Sequence, residues 1–216
     1  MEVIFLHGWG LGGAQETEAF VEFLKVELGK KGVLTVHAPT YHPSGDEKRT
    51  SLPRFLEELR VLAQSIATRK LQLAIVGFSV GGFLAATFQE LYPDLVARVV
   101  LLGPAIDNFA RNFEGRPIEQ WYMPESYVKE LSNLSARPAI RVPVMLIHGD
   151  EETDAGGSAM WRVKEWAARE KFDMCFYPEG LGHCMEVADA IPGGRGGLID
   201  WLVSGAAPIG TGSNAA

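Results

Sequence analysis

Leu71–Gly82 reads LQLAIVGFSVGG, and the fold hangs on how this stretch is read. The apolar run Leu71–Val76 predicts a strand buried on both faces, the kind that a parallel sheet uses. Beyond Gly77-Phe78-Ser79-Val80-Gly81-Gly82, the segment FLAATFQELY places Phe83, Leu84, Thr87, Phe88 and Leu91 at helical spacing and stops before Pro93. Gly-x-Ser-x-Gly therefore falls at a strand-to-helix junction. Such a turn lifts the serine hydroxyl clear of the sheet, where the helix dipole and free amides favour developing negative charge. With 24 glycines in the chain the motif alone is weak, so its partners have to be found elsewhere.

Working outward, strands and helices alternate with short connections. Val3–Leu6 predicts a first strand, followed at once by His7-Gly8-Trp9-Gly10, a turn whose backbone N–H groups can face a substrate oxygen. A helix is expected over Glu16–Leu28, closed by Gly29, then a strand at Val33–His37. The polar segment 38–50 reads as a loop with His42 in solvent. Leu52–Thr68 reads as a helix with Pro53 in its first turn. A fourth strand is expected at Ala97–Leu102, a fifth at Val142–His148 and a sixth at Phe172–Tyr177. Ser158 is expected to cap a helix over Ala159–Arg169, and Leu198–Val203 to form a last short helix after a glycine-rich stretch. The alternation predicts an α/β fold, a mostly parallel six-stranded sheet with helices on both faces. Residues 1–204 form one domain on this reading, with 205–216 as a C-terminal tail.

The rhythm breaks over residues 105–141. This segment is polar, interrupted by Pro117, Pro124 and Pro138, and carries Phe109, Phe113, Trp121, Tyr122, Met123 and Tyr127. It reads as a small lid between the fourth and fifth strands, with Trp121, Tyr122 and Met123 lining a substrate pocket.

The bulk properties narrow the class. At 216 residues and a formal net charge of −7, the chain suits one soluble domain and argues against nucleic-acid or anionic-membrane partners. The opening residues lack the basic and long apolar regions of a signal peptide, so a cytoplasmic protein is expected. Cys175 and Cys184 match no zinc spacing and read as reduced structural thiols. No cofactor and no metal are expected. Assembly as a monomer or a homodimer is left open.

A serine nucleophile needs a base, a carboxylate to orient it, and donors for the oxyanion. In an open parallel sheet these gather at the carboxyl ends of the strands. The candidates there are the His7 turn, Ser79, the acidic turn Gly149-Asp150-Glu151-Glu152-Thr153-Asp154, and His183. Their order along the chain is serine, acid, histidine.

With HGWG at 7–10, GFSVG at 77–81, HGDEE at 148–152 and GLGH at 180–183, the chain resembles the α/β-hydrolase superfamily over roughly residues 3–203. It is most similar to a compact carboxylesterase without the first two strands of larger members. The resemblance implies Ser79 as nucleophile, His183 as general base, and an oxyanion hole from the N–H groups of Trp9 and Val80. It places the acid at Glu152, where an aspartate is usual, with Asp154 and then Asp150 as alternatives. His7, His37 and His148 read as structural residues. The expected function is cleavage of small or medium carboxylic esters through an acyl-enzyme, its partner a small-molecule ester. Thioesterase or lactonase activity, and a ligand-binding receptor role on the same fold, are the alternatives.

Overall fold

In the computed structural model of the protein, residues 1–8, 17–40, 51–106, 129–131, 133–134, 137–153 and 158–207 are described. Among them, β1 (Glu2–Leu6), β2 (Thr35–His37), β3 (Leu73–Phe78), β4 (Arg98–Leu102), β5 (Val144–Ile147) and β6 (Met174–Phe176) form one sheet in the order β2-β1-β3-β4-β5-β6. Every neighbouring pair is parallel, so the sheet is more uniform than the mostly parallel one expected. Helices α1 (Glu18–Lys30), α2 (Leu52–Thr68), α3 (Val80–Leu91), α4 (Met160–Glu170) and α5 (Gly194–Ser204) cover it.

The two-residue period of β1 sorts the layers. Ile4 and Leu6 pack with α2, α3 and α4, whereas Val3 and Phe5 pack with α1 and α5. All six residues of β3 are buried. Each large apolar side chain taken out of water in such a strand contributes about 1.5–3 kcal/mol. A strand this apolar is stable only with helices on both faces, and that is the arrangement found.

Two features of the topology position the site. Leu6 pairs with Gly77, Phe78 with Leu102, Leu102 with Ile147, and Ile147 with Phe176, so the carboxyl ends of five strands lie level. The chain also runs from β1 outward to β2 and then returns past β1 to β3. Strand order reverses between β1 and β3, and a crevice opens at the carboxyl ends of strands beside such a reversal.

Several boundaries differ from the sequence reading, each for a local reason. β3 continues through Gly77 and Phe78 because their neighbours Leu101 and Leu102 continue the ladder. α3 then starts at Val80, three residues early, since the last motif glycine, Gly81, and Gly82 after it enter its first turn. α1 passes through Gly29 to Lys30, and the left-handed residue that follows it is Gly32 (φ +80°). α5 begins at Gly194, inside the glycine-rich stretch. Burial of Leu198, Ile199, Trp201 and Leu202 outweighs the low helix propensity of its glycines. α2 matches its expected bounds, capped by Ser51, whose hydroxyl accepts from Arg54 N–H at 3.3 Å. No helix among the described residues is long and apolar enough to cross a membrane. The expected lid falls largely on residues 107–128, which lie outside the described residues.

Candidate active site

β3 delivers the chain to Ser79 with no intervening loop, and α3 begins at the next residue. Ser79 adopts φ 56°, ψ −121°, a conformation that residues with a Cβ rarely adopt. Its surroundings hold it there. Its N–H donates to Leu102 O at 2.9 Å, and its carbonyl accepts from Gly82 N–H at 3.0 Å and Ala105 N–H at 3.0 Å. The turn is possible only because Gly81 has no side chain: a Cβ there would lie 2.0 Å from Leu6 O. The final glycine of the motif is thus a steric requirement of packing α3 against the end of β1.

His183 reaches the same point from the loop after β6. Its Nε2 lies 2.8 Å from Ser79 Oγ and its Nδ1 lies 2.7 Å from Glu152 Oε1. The carboxylate can only accept, so Nδ1 carries the proton and Nε2 accepts from the serine hydroxyl. The glutamate side chain is fully buried and the imidazole is 22% exposed, so the line runs from a dry interior towards solvent. Phe78, the residue before the serine, stacks on the imidazole with ring centroids 5.2 Å apart and planes 23° from parallel.

Two loops must meet for Glu152 and His183 to touch. A Cβ on Gly149 would lie 2.1 Å from Leu181 O, so only glycine allows the turn after β5 to press against the turn after β6. Glu151 N–H donates to Leu181 O at 3.0 Å and Asp150 N–H to Pro178 O at 3.1 Å. Asp150 Oδ1 in turn accepts from Gly180 N–H at 2.8 Å. Asp150 therefore pins the loop that carries His183 and makes no bond to the imidazole.

Residues 3–127, more than half of the chain, match the family model described as the alpha/beta hydrolase fold. The chain belongs to the α/β-hydrolase fold family. Among curated proteins it is similar to the biotin biosynthesis bifunctional protein BioHC of Teredinibacter turnerae, 25% identical over 46% of this chain. The match spans only 16% of that relative's length. Among solved structures, the monoacylglycerol lipase of Paleococcus ferrophilus superposes with a TM-score of 0.67 at 18% identity, covering 95% of each chain. The esterase of Pyrobaculum calidifontis gives a TM-score of 0.61 at 16% identity over 94% of this chain and 76% of its own. At these identities the likeness concerns the fold.

Within this hydrolase fold, the turn after β1 lies directly against the serine. A Cβ on Gly8 would come within 3.0 Å of Phe78 Cδ1 and 3.3 Å of Ser79 Cβ. His7 is buried in that turn and its Nδ1 donates to Gly8 O at 2.7 Å. Burial pushes its imidazole below the ordinary value, while the Gly8 bond works the other way. Val80 is buried at the head of α3, where first-turn N–H groups have no acceptor within the helix. Trp9, Asp154, Trp121, Tyr122, Met123 and His42 lie outside the described residues.

The remaining polar residues sort by position. His37 ends β2, paired with Ile4 of β1, and its side chain contacts Glu2 at the amino end of the sheet, away from the site. Cys175 and Cys184 are free thiols, and burial pushes both up, away from the reactive thiolate. Ser158 is not the helix cap that its position suggested. Ala159 occupies that place, and the Ser158 hydroxyl is buried, accepting from Ile106 N–H at 2.6 Å and donating to Ile106 O.

His148 is structural in the sense expected but closer to the site than the sequence indicates. Its Nε2 donates to Ser158 O at 2.9 Å, and its Nδ1 stands 3.5 Å from Glu152 Oε2. Neither of those two facing atoms has a hydrogen-bond partner among the described residues. Burial pushes the His148 imidazole down, against the pull of the Glu152 carboxylate, so the pair is a contact and not an ion pair. Phe78 is the site neighbour that the sequence did not single out, while His148 was expected only as a structural residue at a strand end. Phe78 touches the site through packing, and its adjacency to Ser79 in the motif is the one local signal that could have drawn attention to it.

Proposed function

We propose that the protein is a serine hydrolase cleaving carboxylic esters of small or medium size, with Ser79 as nucleophile, His183 as general base and Glu152 as the acid. The observation that carries this reading is the unbroken line from the Glu152 carboxylate through both nitrogens of His183 to the Ser79 hydroxyl, at 2.7 and 2.8 Å. Distances of this kind are what transfer of the serine proton to imidazole requires.

In the first half-reaction Ser79 Oγ bonds to the carbonyl carbon as its proton passes to His183 Nε2. Glu152 stabilises the imidazolium that forms and keeps the ring in the tautomer that accepts. The oxyanion is met by N–H groups at the start of α3, Val80 first, with Trp9 as the proposed second donor. Collapse expels the alcohol, which takes the proton from His183 and leaves an acyl group on Ser79. Water then repeats the sequence with His183 as base and releases the acid. The named activities of the structural relatives, a lipase and an esterase, lean the same way. Trp121, Tyr122 and Met123 are proposed to contact the acyl or alcohol portion. Thioesters and lactones present the same carbonyl chemistry to the same groups.

The test is turnover of chromogenic short-chain esters by the wild type and by Ser79→Ala. The wild type should exceed the variant by about 10⁵-fold or more. Equal rates would end the esterase reading.

A further inference from the structure

Glu152 stands where the shorter aspartate is usual, and the structure assigns the room it needs to Gly103, which we propose is a positioning residue that fits this site to a glutamate. This inference rests on the function proposed above, since it concerns how the acid of that reaction is held.

Gly103 follows β4 directly and has φ +46°. A Cβ built there would lie 3.2 Å from Glu152 Oε2 and 3.5 Å from His183 Nδ1, so the bare Cα of Gly103 forms the floor beneath the hydrogen bond between them. Other described residues flank the carboxylate as well. Its Oε1 is held by His183 and faces Ser158 N–H at 3.4 Å. Its Oε2 meets His148 Nδ1 at 3.5 Å on the other flank, and that ring is anchored through Nε2 to Ser158 O. Gly103 cannot retreat either, because its N–H donates to Ile147 O at 2.8 Å within the sheet. The outer oxygen thus fills a slot between the floor at Gly103 and the wall at His148.

A methyl group on that floor should push the longer carboxylate off the imidazole and leave a shorter one untouched. The experiment is a double-mutant cycle of Gly103→Ala and Glu152→Asp, read as kcat and KM on a short-chain chromogenic ester. A parallel readout is the rate at which a fluorophosphonate labels Ser79. In that labelling Ser79 Oγ bonds to phosphorus, fluoride leaves and the serine proton passes to His183. With Glu152 in place, Gly103→Ala should lower kcat and the labelling rate at least about tenfold with KM little changed. In the Glu152→Asp background, the same methyl should cost less than about threefold. The strain of alanine at positive φ is common to both backgrounds and cancels in the cycle. Equal losses in the two backgrounds, or no loss with Glu152 present, overturn the proposal. A wild type that is labelled but cleaves no ester ends the esterase reading alone, and the labelling rates then decide this one. A wild type that is neither labelled nor active ends both.

Discussion

Two glutamates in this fold each hold a histidine nitrogen at 2.7 Å, one at either end of the sheet. Glu2 opens β1 at the amino end, with its side chain 1% exposed. His37 Nε2 meets its Oε2, and Arg69 meets both oxygens, Nη1 at 2.5 Å and Nη2 at 3.1 Å. Glu152, at the carboxyl end, has no cation fork among the described residues: His183 occupies one oxygen and the other faces His148 without a bond. The same residue pair therefore serves two purposes. Where both carboxylate oxygens are saturated, the pair locks β1 to β2 and to the end of α2. Where one oxygen has no hydrogen-bond partner among the described residues and the imidazole has a hydroxyl beyond it, the geometry suits the proposed role, in which the imidazole takes the hydroxyl's proton and the carboxylate supports the charge.

The contrast is broken or sharpened by variants at the two ends, from the largest expected effect downward. Glu152→Gln should lower kcat on a short-chain ester by about 10⁴-fold with little change in the urea midpoint, because it removes the charge that supports the imidazolium. A loss no greater than that of Asp150→Asn, measured in the same assay, would reassign the acid. Gly81→Ala should destabilise the fold by at least about 3 kcal/mol, since its Cβ meets Leu6 O head-on. A near-wild-type urea midpoint would contradict that close approach.

At the amino end, Glu2→Gln should cost about 1 kcal/mol of stability, a modest figure because Arg69 is half-exposed, and leave kcat unchanged. Burial alone would raise the Glu2 carboxyl, but the bonds from Arg69 and His37 outweigh it and hold it below its ordinary value of 4.5. A carboxyl depressed on folding adds stability that is complete above its unfolded value and is lost as pH falls through the folded one. Melting temperatures recorded from pH 6 downward should therefore fall less steeply in Glu2→Gln than in the wild type below about pH 4.5. Parallel slopes would remove Glu2 from the acid response. The smallest effect is expected for Phe78→Leu, which removes the ring stacked on His183 and should lower kcat by about two- to tenfold without altering KM.

The legible parts of this protein were those encoded in short, local patterns. The apolar run before Ser79 and the helical spacing after it announced a strand, a turn and a helix, and all three are found, with boundaries shifted by a few residues. His183 was legible because it follows a strand within a glycine-rich turn. The acid was not settled in the same way, since Asp150, Glu152 and Asp154 lie within one short turn. Glu152 meets His183 because Gly149 lets its turn pack on Leu181, while Asp150 is turned away to cap Gly180. Ser158 was misread as a helix cap because its true partner, Ile106, is 52 residues away.

By itself, the sequence determined the alternation of strand and helix, the family, and the placing of Ser79 and His183 at strand ends, because hydrophobic period and glycine placement are properties of neighbours along the chain. Only the tertiary structure decided which carboxylate faces the imidazole, that Phe78 stacks on it, and that Gly103 and His148 bound the slot for Glu152. Those relations join residues tens of positions apart, and they exist only once six parallel strands have brought their carboxyl ends to one level.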